Sequence, residues 1–143
     1  MTITQDRRSD LLAGCSLFDG ANRTDLDALA GAATEVAFPA GRVIARQGEI
    51  GTGFFFIVDG LVRVVRDGEP VADLGPGEFF GELSVIDGLP RIAQVVTVEP
   101  TVCLALATWD FERVLLEQPR LALAILRGLA TRLRSVTGQQ HRH

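Results

Sequence analysis

Residues 54–74, FFFIVDGLVRVVRDGEPVADL, decide the predicted fold. Short apolar runs in this stretch are separated by two Asp-Gly pairs, Asp59-Gly60 and Asp67-Gly68. Asp-Gly supplies the positive φ angles that tight turns require, and Arg66-Asp67-Gly68-Glu69 is the best single hairpin turn in the chain. The stretch therefore predicts consecutive antiparallel strands.

The same pattern extends in both directions, over about residues 34–107. Glycine-containing turns recur at 39–41, 47–48, 75–77 and 87–88. The strands predicted between the turns are 43–45, 54–58, 61–66, 71–74, 94–98 and 101–107. Strands of this length at such regular spacing are typical of an antiparallel sandwich or barrel.

Two short helices are predicted before the barrel. Residues 10–15 form the first, and Asn22 or Thr24 caps the second, because a side-chain oxygen there accepts a hydrogen bond from a free backbone N–H. Two more helices follow the barrel. The predicted fold class is therefore α+β: N-terminal helices, an antiparallel β-barrel or jelly roll, and two C-terminal helices, all in a single domain spanning 1–143.

The last third of the chain is predicted to be helical. Thr108 caps a helix that reaches about residue 117, and Pro119 restarts the chain for a last helix over roughly 120–136. An apolar stripe on that helix packs against the barrel, a partner subunit or both; it consists of Ala122, Ile125, Leu126, Leu129, Leu133 and Val136. The arginines beside the stripe are expected to form a solvated face, and Trp109 to pack at the hinge.

Composition and charge exclude several classes of protein. Hydrophobic residues make up 47% and charged residues 22% of the chain, which is typical of a folded domain. The net charge of −4 provides no basic field for a nucleic acid. Residues 1–15 lack the apolar core of a secretory signal, and no apolar run reaches about 18 residues. We expect a cytoplasmic protein with no membrane span and no nucleic-acid partner.

The cysteines and histidines do not suggest catalysis. Cys15 and Cys103 have no further Cys or His at ligand spacing, so both are predicted to be buried thiols. His141 and His143 lie at the extreme C-terminus, and a metal site needs convergent ligands. Ser84 has no histidine to act as its base. We therefore predict a protein that is not an enzyme and holds no metal or cofactor.

The candidate ligand-binding residues lie in residues 79–95, FFGELSVIDGLPRIAQV. Glu82 begins a short apolar run after Gly81, and the free N–H groups at such a helix start favour an anion. Arg91 follows a turn, and its guanidinium fork matches two phosphate oxygens. Glu82 suits a hydroxyl near that phosphate, which together suggests a nucleotide. Two structural alternatives remain: Glu82 as a favourable acid at a helix start, or Glu82–Arg91 as a partly exposed ion pair.

At these residues the sequence resembles the cyclic nucleotide-binding domain family, of the catabolite activator and protein kinase A regulatory subunit type. FGELSVIDGLPRIAQV is similar to its phosphate-binding cassette, F-G-E-[LI]-[AS]-L-[LI] followed by P-R-[STA]-A-[ST]-V. FPAGRVIARQGEIGTGFFFIVDGLVRVV and LGPGEFFGEL continue the similarity, which covers roughly residues 10–136.

The resemblance implies a role for each cassette residue. Arg91 would hold the cyclic phosphate and Glu82 would accept from the ribose 2′-OH. The cradle would be completed by Gly81 and by backbone N–H groups near Leu83, Ser84, Ile92 and Ala93. In the family the last helix closes over the purine, so the residues expected as lid or base wall are Val71, Leu126, Arg127 and Leu129.

Ile92 departs from the family pattern, which has Ser, Thr or Ala after the arginine. A hydroxyl there helps guanine recognition in the family, so Ile92 favours cAMP over cGMP as the ligand. Its bulk also leaves open a degenerate pocket, in a domain that serves as a ligand-free interaction or scaffold module. Gln94 stands where Ser or Thr is common.

The resemblance also implies how the ligand acts. It would draw the last helices toward the cassette, with movement at Gln118-Pro119 and Gly128. Only seven residues follow Val136, too few for a helix-turn-helix, so we expect a stand-alone domain that starts at Met1. Its output is expected through an unknown effector protein in trans or through a homodimer along the last helix; a fragment of a longer chain is the third option.

Overall fold

A computed structural model of the chain describes residues 2–51 and 53–140, without the side chains of residues 83, 84 and 137–140. Within these residues the α+β prediction is confirmed. The helices are α1 (Gln5–Ala13), α2 (Arg23–Ala32), α3 (Glu82–Asp87), α4 (Thr108–Glu117) and α5 (Pro119–Gln140), with a 3-10 turn at Ser16–Phe18. The strands are β1 (Thr34–Phe38), β2 (Val43–Ala45), β3 (Gly53–Asp59), β4 (Val62–Arg66), β5 (Glu69–Leu74), β6 (Phe79–Phe80), β7 (Gln94–Thr97) and β8 (Thr101–Ala107).

The strands form two antiparallel four-stranded sheets. One has the order β1-β8-β3-β6 and the other the order β2-β7-β4-β5. The predicted hairpin joins β4 to β5, with Arg66 paired to Glu69. Asp67 has φ 53° and Gly68 has φ 81°, so both turn residues are left-handed, as a type I′ turn requires. The strands Thr34–Phe38 and Phe79–Phe80 were not predicted, and the second has only two residues, which carry no alternation pattern.

The N-terminal helices differ from the prediction in length. α1 starts five residues earlier than expected, because the Thr4 hydroxyl accepts from the Arg7 N–H, 3.2 Å away, and caps it there. α2 begins after Asn22, whose side chain accepts from the Asp25 N–H at 2.9 Å in a reciprocal capping box. Of the two predicted caps, Asn22 is therefore correct.

The C-terminal helices correct two predictions. Thr108 is the first helical residue of α4 rather than its cap, and its hydroxyl points to the Gly51 carbonyl at 3.5 Å. Trp109 does not pack at a hinge, since it is 67% exposed. Two residues of α5, Leu121 and Ile125, are buried against the body of the domain at 0% and 3% exposure. The outer part of the predicted stripe is exposed: Leu126, Leu133 and Val136.

Four phenylalanines join the elements at the centre of the core. Phe54 of β3 packs against Phe18 of the 3-10 turn, Phe79 of β6 and Phe111 of α4, with ring centroids 5.6, 5.7 and 5.7 Å away. Phe54 and Phe111 are fully buried, and Phe18 nearly so. Aromatic pairs at these distances add to the stability gained from area burial alone. The β-barrel, the N-terminal segment and the C-terminal helices therefore share one core.

The cysteine prediction is confirmed. Cys15 and Cys103 are free and buried, and burial raises the pKa of each thiol to about 12. No helix among the described residues has both the length and the apolar character to cross a membrane.

A substitution at Gly60 tests how tightly the β3–β4 connection is packed. Its φ is +107°, and an added Cβ would lie 2.5 Å from the Pro100 carbonyl oxygen. We predict that Gly60→Ala lowers the free energy of unfolding by roughly 2–5 kcal/mol, from backbone strain plus overpacking. Gly77→Ala is the control: its φ is +89° but no atom lies within 4 Å, so only about 1–2 kcal/mol is expected. Equal losses in urea unfolding would contradict the clash.

Candidate functional site

One cavity lies between the β6–β7 connection and the sheet β2-β7-β4-β5. Its volume is about 510 Å³, within the range of roughly 300–1,000 Å³ for small-molecule sites. The apolar part of its wall comprises Val64, Leu74 and Val95 of this sheet together with Phe79 and Phe80 of β6, which belongs to the other sheet. The opposite side belongs to the predicted cassette and comprises Gly81, Glu82, Asp87, Leu89, Pro90, Arg91, Ile92 and Ala93. The predicted binding segment therefore forms one wall of a real cavity.

Gly81 is required by close backbone approach. Its φ is +90°, a conformation that side chains rarely adopt, and it lies directly before α3. A Cβ on Gly81 would lie 2.5 Å from the Gly53 carbonyl oxygen and 3.0 Å from Nη1 of Arg91. No larger residue fits there unless β3 or the arginine moves.

Arg91 is fixed by its backbone and by its side chain. The backbone N–H donates to the Glu49 carbonyl and the backbone carbonyl accepts from the Gly48 N–H, both at 2.8 Å. Nη2 donates to the Gly53 carbonyl at 3.1 Å, which leaves further guanidinium N–H groups for a ligand. Burial lowers the pKa of Arg91 and the charge of Glu82 opposes this, but an arginine remains a cation at any physiological pH.

Glu82 is the first residue of α3 and is largely buried. Burial raises the pKa of its carboxyl above the ordinary value of 4.5, although a hydrogen bond from its own backbone N–H and the charges of Arg132 and Arg91 oppose the shift. Among the ion pairs within 4.0 Å that join described residues, none connects Glu82 to Arg91. The two charges therefore line one cavity without a direct salt bridge.

The rest of the predicted cassette lies around this pair. The first turn of α3 is closed by the Val85 N–H, which donates to the Gly81 carbonyl at 3.3 Å. Ile92 and Ala93 line the cavity, and Ile92 is 57% exposed while the cavity beside it stays open. The side chains of Leu83 and Ser84 lie outside the described residues.

The predicted lid residues do not line this cavity. Val71 is 61% exposed and is the extra residue of a bulge in β5, opposite Val64 and Val65 of β4. On α5, Leu126 is exposed, Leu129 packs against the core, and Arg127 lines a different cavity. In this conformation none of the four contacts the space beside Arg91.

Arg132 is the α5 residue that reaches this region instead. Its guanidinium carbon lies 4.8 Å from the centroid of the Phe79 ring, and its charge lowers the pKa of Glu82. The prediction assigned the α5 arginines to a solvated face, because sequence alone leaves the rotation of the helix open. The one available signal was its position seven residues after Ile125, which places both on the same side.

The jelly roll places an arginine with free guanidinium N–H groups and a carboxylate in one cavity with an apolar wall, an arrangement suited to a small anionic ligand. The sequence profile described as "Cyclic nucleotide-binding domain" matches residues 35–118, more than half of the chain. The chain belongs to the cyclic nucleotide-binding domain family.

Relatives and solved structures agree with this assignment. The chain is 38% identical over 119 residues to a cyclic nucleotide-gated potassium channel of Rhizobium etli, covering 83% of this chain and 33% of the channel. It is 34% identical over 128 residues to the cyclic AMP receptor protein of Thermus thermophilus, covering 86% and 59%. The N-terminal domain of a Streptomyces coelicolor transcriptional regulator superposes with a TM-score of 0.78 at 29% identity, covering 90% and 92%. The chain thus spans one third to three fifths of these two relatives.

The raised pKa of Glu82 predicts a pH-dependent effect of Glu82→Gln on the ligand-free domain. A carboxyl whose pKa is higher in the folded state stabilises the fold when protonated, and this stability is lost as the pH rises through the folded pKa. Glu82→Gln should therefore raise the free energy of unfolding at neutral pH, by about 1.4 kcal/mol for each pKa unit of the shift. Below the ordinary glutamate pKa of 4.5 the gain should disappear.

Urea unfolding of both proteins at neutral and acidic pH measures this difference. Glu99→Gln, at an exposed position in the β7–β8 connection, is the matched control and should show no such pH-dependent gain. A loss of stability in Glu82→Gln at neutral pH would instead mean that the charges of Arg91 and Arg132 outweigh burial.

Proposed function

We propose that this chain is a cyclic-nucleotide sensor whose preferred ligand is cAMP. The observation that carries the proposal is the pair Glu82 and Arg91, which line one cavity of about 510 Å³ without a salt bridge between them. Both groups are partly buried without a direct salt bridge, which is costly to an empty domain. A ligand with an anionic phosphate and a neighbouring hydroxyl would satisfy both.

Arg91 would take the cyclic phosphate. The Gly53 carbonyl already orients the guanidinium through Nη2, so little side-chain freedom is lost when the ligand binds. Hydrogen bonds from an arginine to a phosphate are charge-assisted and contribute about 1.5–3 kcal/mol each. Glu82 would accept from the ribose 2′-OH, and the free N–H groups at the start of α3 would complete the phosphate site.

Ile92 bears on the choice of nucleotide. It offers no hydroxyl for guanine, which supports cAMP over cGMP. The alternative, a ligand-free scaffold, rests on the bulk of Ile92, but this residue lies in the wall of the cavity without filling it. The open cavity supports the sensor over the scaffold.

The ligand would act by changing the position of α5 relative to the cassette. Arg132 stacks on Phe79, and Phe79 lines the nucleotide cavity and packs on Phe54 in the core. A nucleotide shifts this arrangement only if it binds one position of α5 more tightly than another. We propose a regulatory, non-catalytic role with an effector protein in trans.

We also propose that α5 pairs two copies of the chain. Ala122, Leu126, Leu129, Leu133 and Val136 follow the four-then-three spacing of a coiled-coil seam, and the exposed members of that seam are Leu126, Leu133 and Val136. Leu133→Glu should convert a sedimenting dimer to a monomer, because it buries a charge in the seam. Thr131→Glu, on another side of the same helix, is the control. A wild-type monomer at all concentrations would refute the pairing.

Arg91→Glu should abolish binding of cAMP while the circular dichroism spectrum stays that of the folded protein. Losing two charge-assisted hydrogen bonds alone weakens binding on the order of a hundredfold or more, and the new charge repels phosphate. Titration calorimetry with cAMP, cGMP and a cyclic dinucleotide measures this, with the exposed Arg66→Glu as the charge-matched control.

Unchanged cAMP affinity in Arg91→Glu would disprove the phosphate role. If the wild-type protein binds none of the three nucleotides, the same titration of the Ile92→Ala variant distinguishes a blocked cavity from a ligand-free scaffold. Binding gained by that variant identifies Ile92 as a block, whereas continued absence of binding favours the scaffold.

A further inference from the structure

A second cavity lies on the other side of α5, away from the nucleotide site. Its volume is about 720 Å³. Its two walls are the segment Ser16–Gly20 and the side of α5 that carries Arg120 and Arg127, with Arg132 at the edge. Leu17 and Leu123 give it an apolar floor. We call this feature the arginine groove.

The arginine groove concentrates the positive charge of an acidic protein. All 18 acidic residues of the chain precede residue 119, whereas Pro119–Gln140 carries four arginines and no acidic residue. Among the ion pairs that join described residues, none includes an arginine of α5. Asp19 is the one acidic residue in the lining. The groove therefore has an excess of cation donors over the carboxylates within it.

The geometry suits an acidic protein segment. Arg120 and Arg127 are seven residues apart on one side of α5, so their positions differ by roughly 10.5 Å along the axis. Glutamates seven positions apart on a partner helix have the same separation, and the guanidinium fork binds a carboxylate through two parallel hydrogen bonds. Apolar side chains between the glutamates would contact Leu17 and Leu123 on the floor.

We propose that the arginine groove binds an acidic amphipathic segment of a partner protein. A membrane fits less well, because a flat anionic surface does not enter a concave groove and most of this chain would repel it. The groove uses a different side of α5 from the exposed seam of Leu126 and Leu133. An α5 pair and a partner segment therefore do not compete for the same side chains.

The inference goes beyond the proposed nucleotide binding, but the two are connected at one residue. Arg132 lines the groove and also stacks on Phe79, which lines the nucleotide cavity. A movement of Arg132 thus changes both sites. The groove itself needs no nucleotide, so the two proposals are tested separately.

Fluorescence anisotropy with the full chain tests the groove. The probe is a labelled helical peptide with glutamates seven positions apart and leucines between them, and its matched control has glutamine in place of each glutamate. We expect the glutamate peptide to bind about tenfold or more tightly than the glutamine peptide, and its binding to weaken as salt is added. Equal affinity for the two peptides would overturn the proposal.

Two variants of equal charge change locate the binding. Arg120→Glu lies in the groove, near the start of α5 where an acid is well tolerated, and should weaken binding about tenfold or more. Arg66→Glu lies at the exposed end of β4, outside the lining, and should leave the affinity close to that of wild type. Equal losses in both variants would mean a response to the net charge of the chain rather than binding in the groove.

Three further measurements separate the alternatives. Retention on phosphatidylserine-containing vesicles that is lost in Arg120→Glu would replace the protein partner with a membrane. Self-association lost in the same variant would replace it with a second copy of this chain. Arg91→Glu should lose cAMP and keep the glutamate peptide, so a failure of the nucleotide site is distinguishable from a failure of the groove.

Discussion

The geometry of the candidate site depends on the carbonyl oxygen of Gly53. It accepts from Nη2 of Arg91 and lies so close to Gly81 that no Cβ fits between them. One backbone atom at the start of β3 thereby fixes both the arginine and the turn that begins α3. The next residue, Phe54, is fully buried at the centre of the core, so the position of that atom is set by the best-packed part of the domain. Packing of the core therefore fixes the position of the Gly53 carbonyl, and the hydrogen bond to this carbonyl limits how far Arg91 moves without a ligand.

The same core connects the site to the C-terminal helices. Phe54 packs on Phe79 of β6 and on Phe111 of α4, and Phe79 in turn lies beneath Arg132 of α5. Tight packing transmits displacement because side chains in contact have no free volume to absorb it. The contact with Arg132 is weaker than this packing, since a cation over an aromatic ring near the protein surface contributes only about 0.5–1 kcal/mol. The weakest contact in this series is thus the one between Phe79 and Arg132, which joins the barrel to α5. A ligand with a modest preference for one position of α5 would have its largest effect there.

Local chemistry explains which features the sequence predicts. The Asp67-Gly68 turn and six of the eight strands follow from turn types, and the lining residues Glu82 and Arg91 follow from a short motif. Neighbouring residues determine both kinds of signal. The rotation of α5 about its axis cannot be predicted in this way. Apolar residues lie on more than one side of the helix, and helix propensity does not distinguish which side is buried. Leu121 is buried and Leu126 exposed because α5 packs on the 3-10 turn Ser16–Phe18, a contact between segments about a hundred residues apart. Arg132 was missed for the same reason.

This rotation gives α5 three separate sides. Leu121 and Ile125 hold the helix to the body, the seam of Leu126 and Leu133 is exposed, and Arg120 and Arg127 face the groove. Because only one side is buried, α5 is held to the body of the domain through a narrow contact. Interactions made by the other two sides would add to this contact or compete with it. A ligand that draws Arg132 toward Glu82 would rotate all three sides together, since a helix of 22 residues turns as a rigid rod. The side proposed to bind an acidic partner and the side proposed to pair two copies would then be repositioned by the same small movement at Phe79.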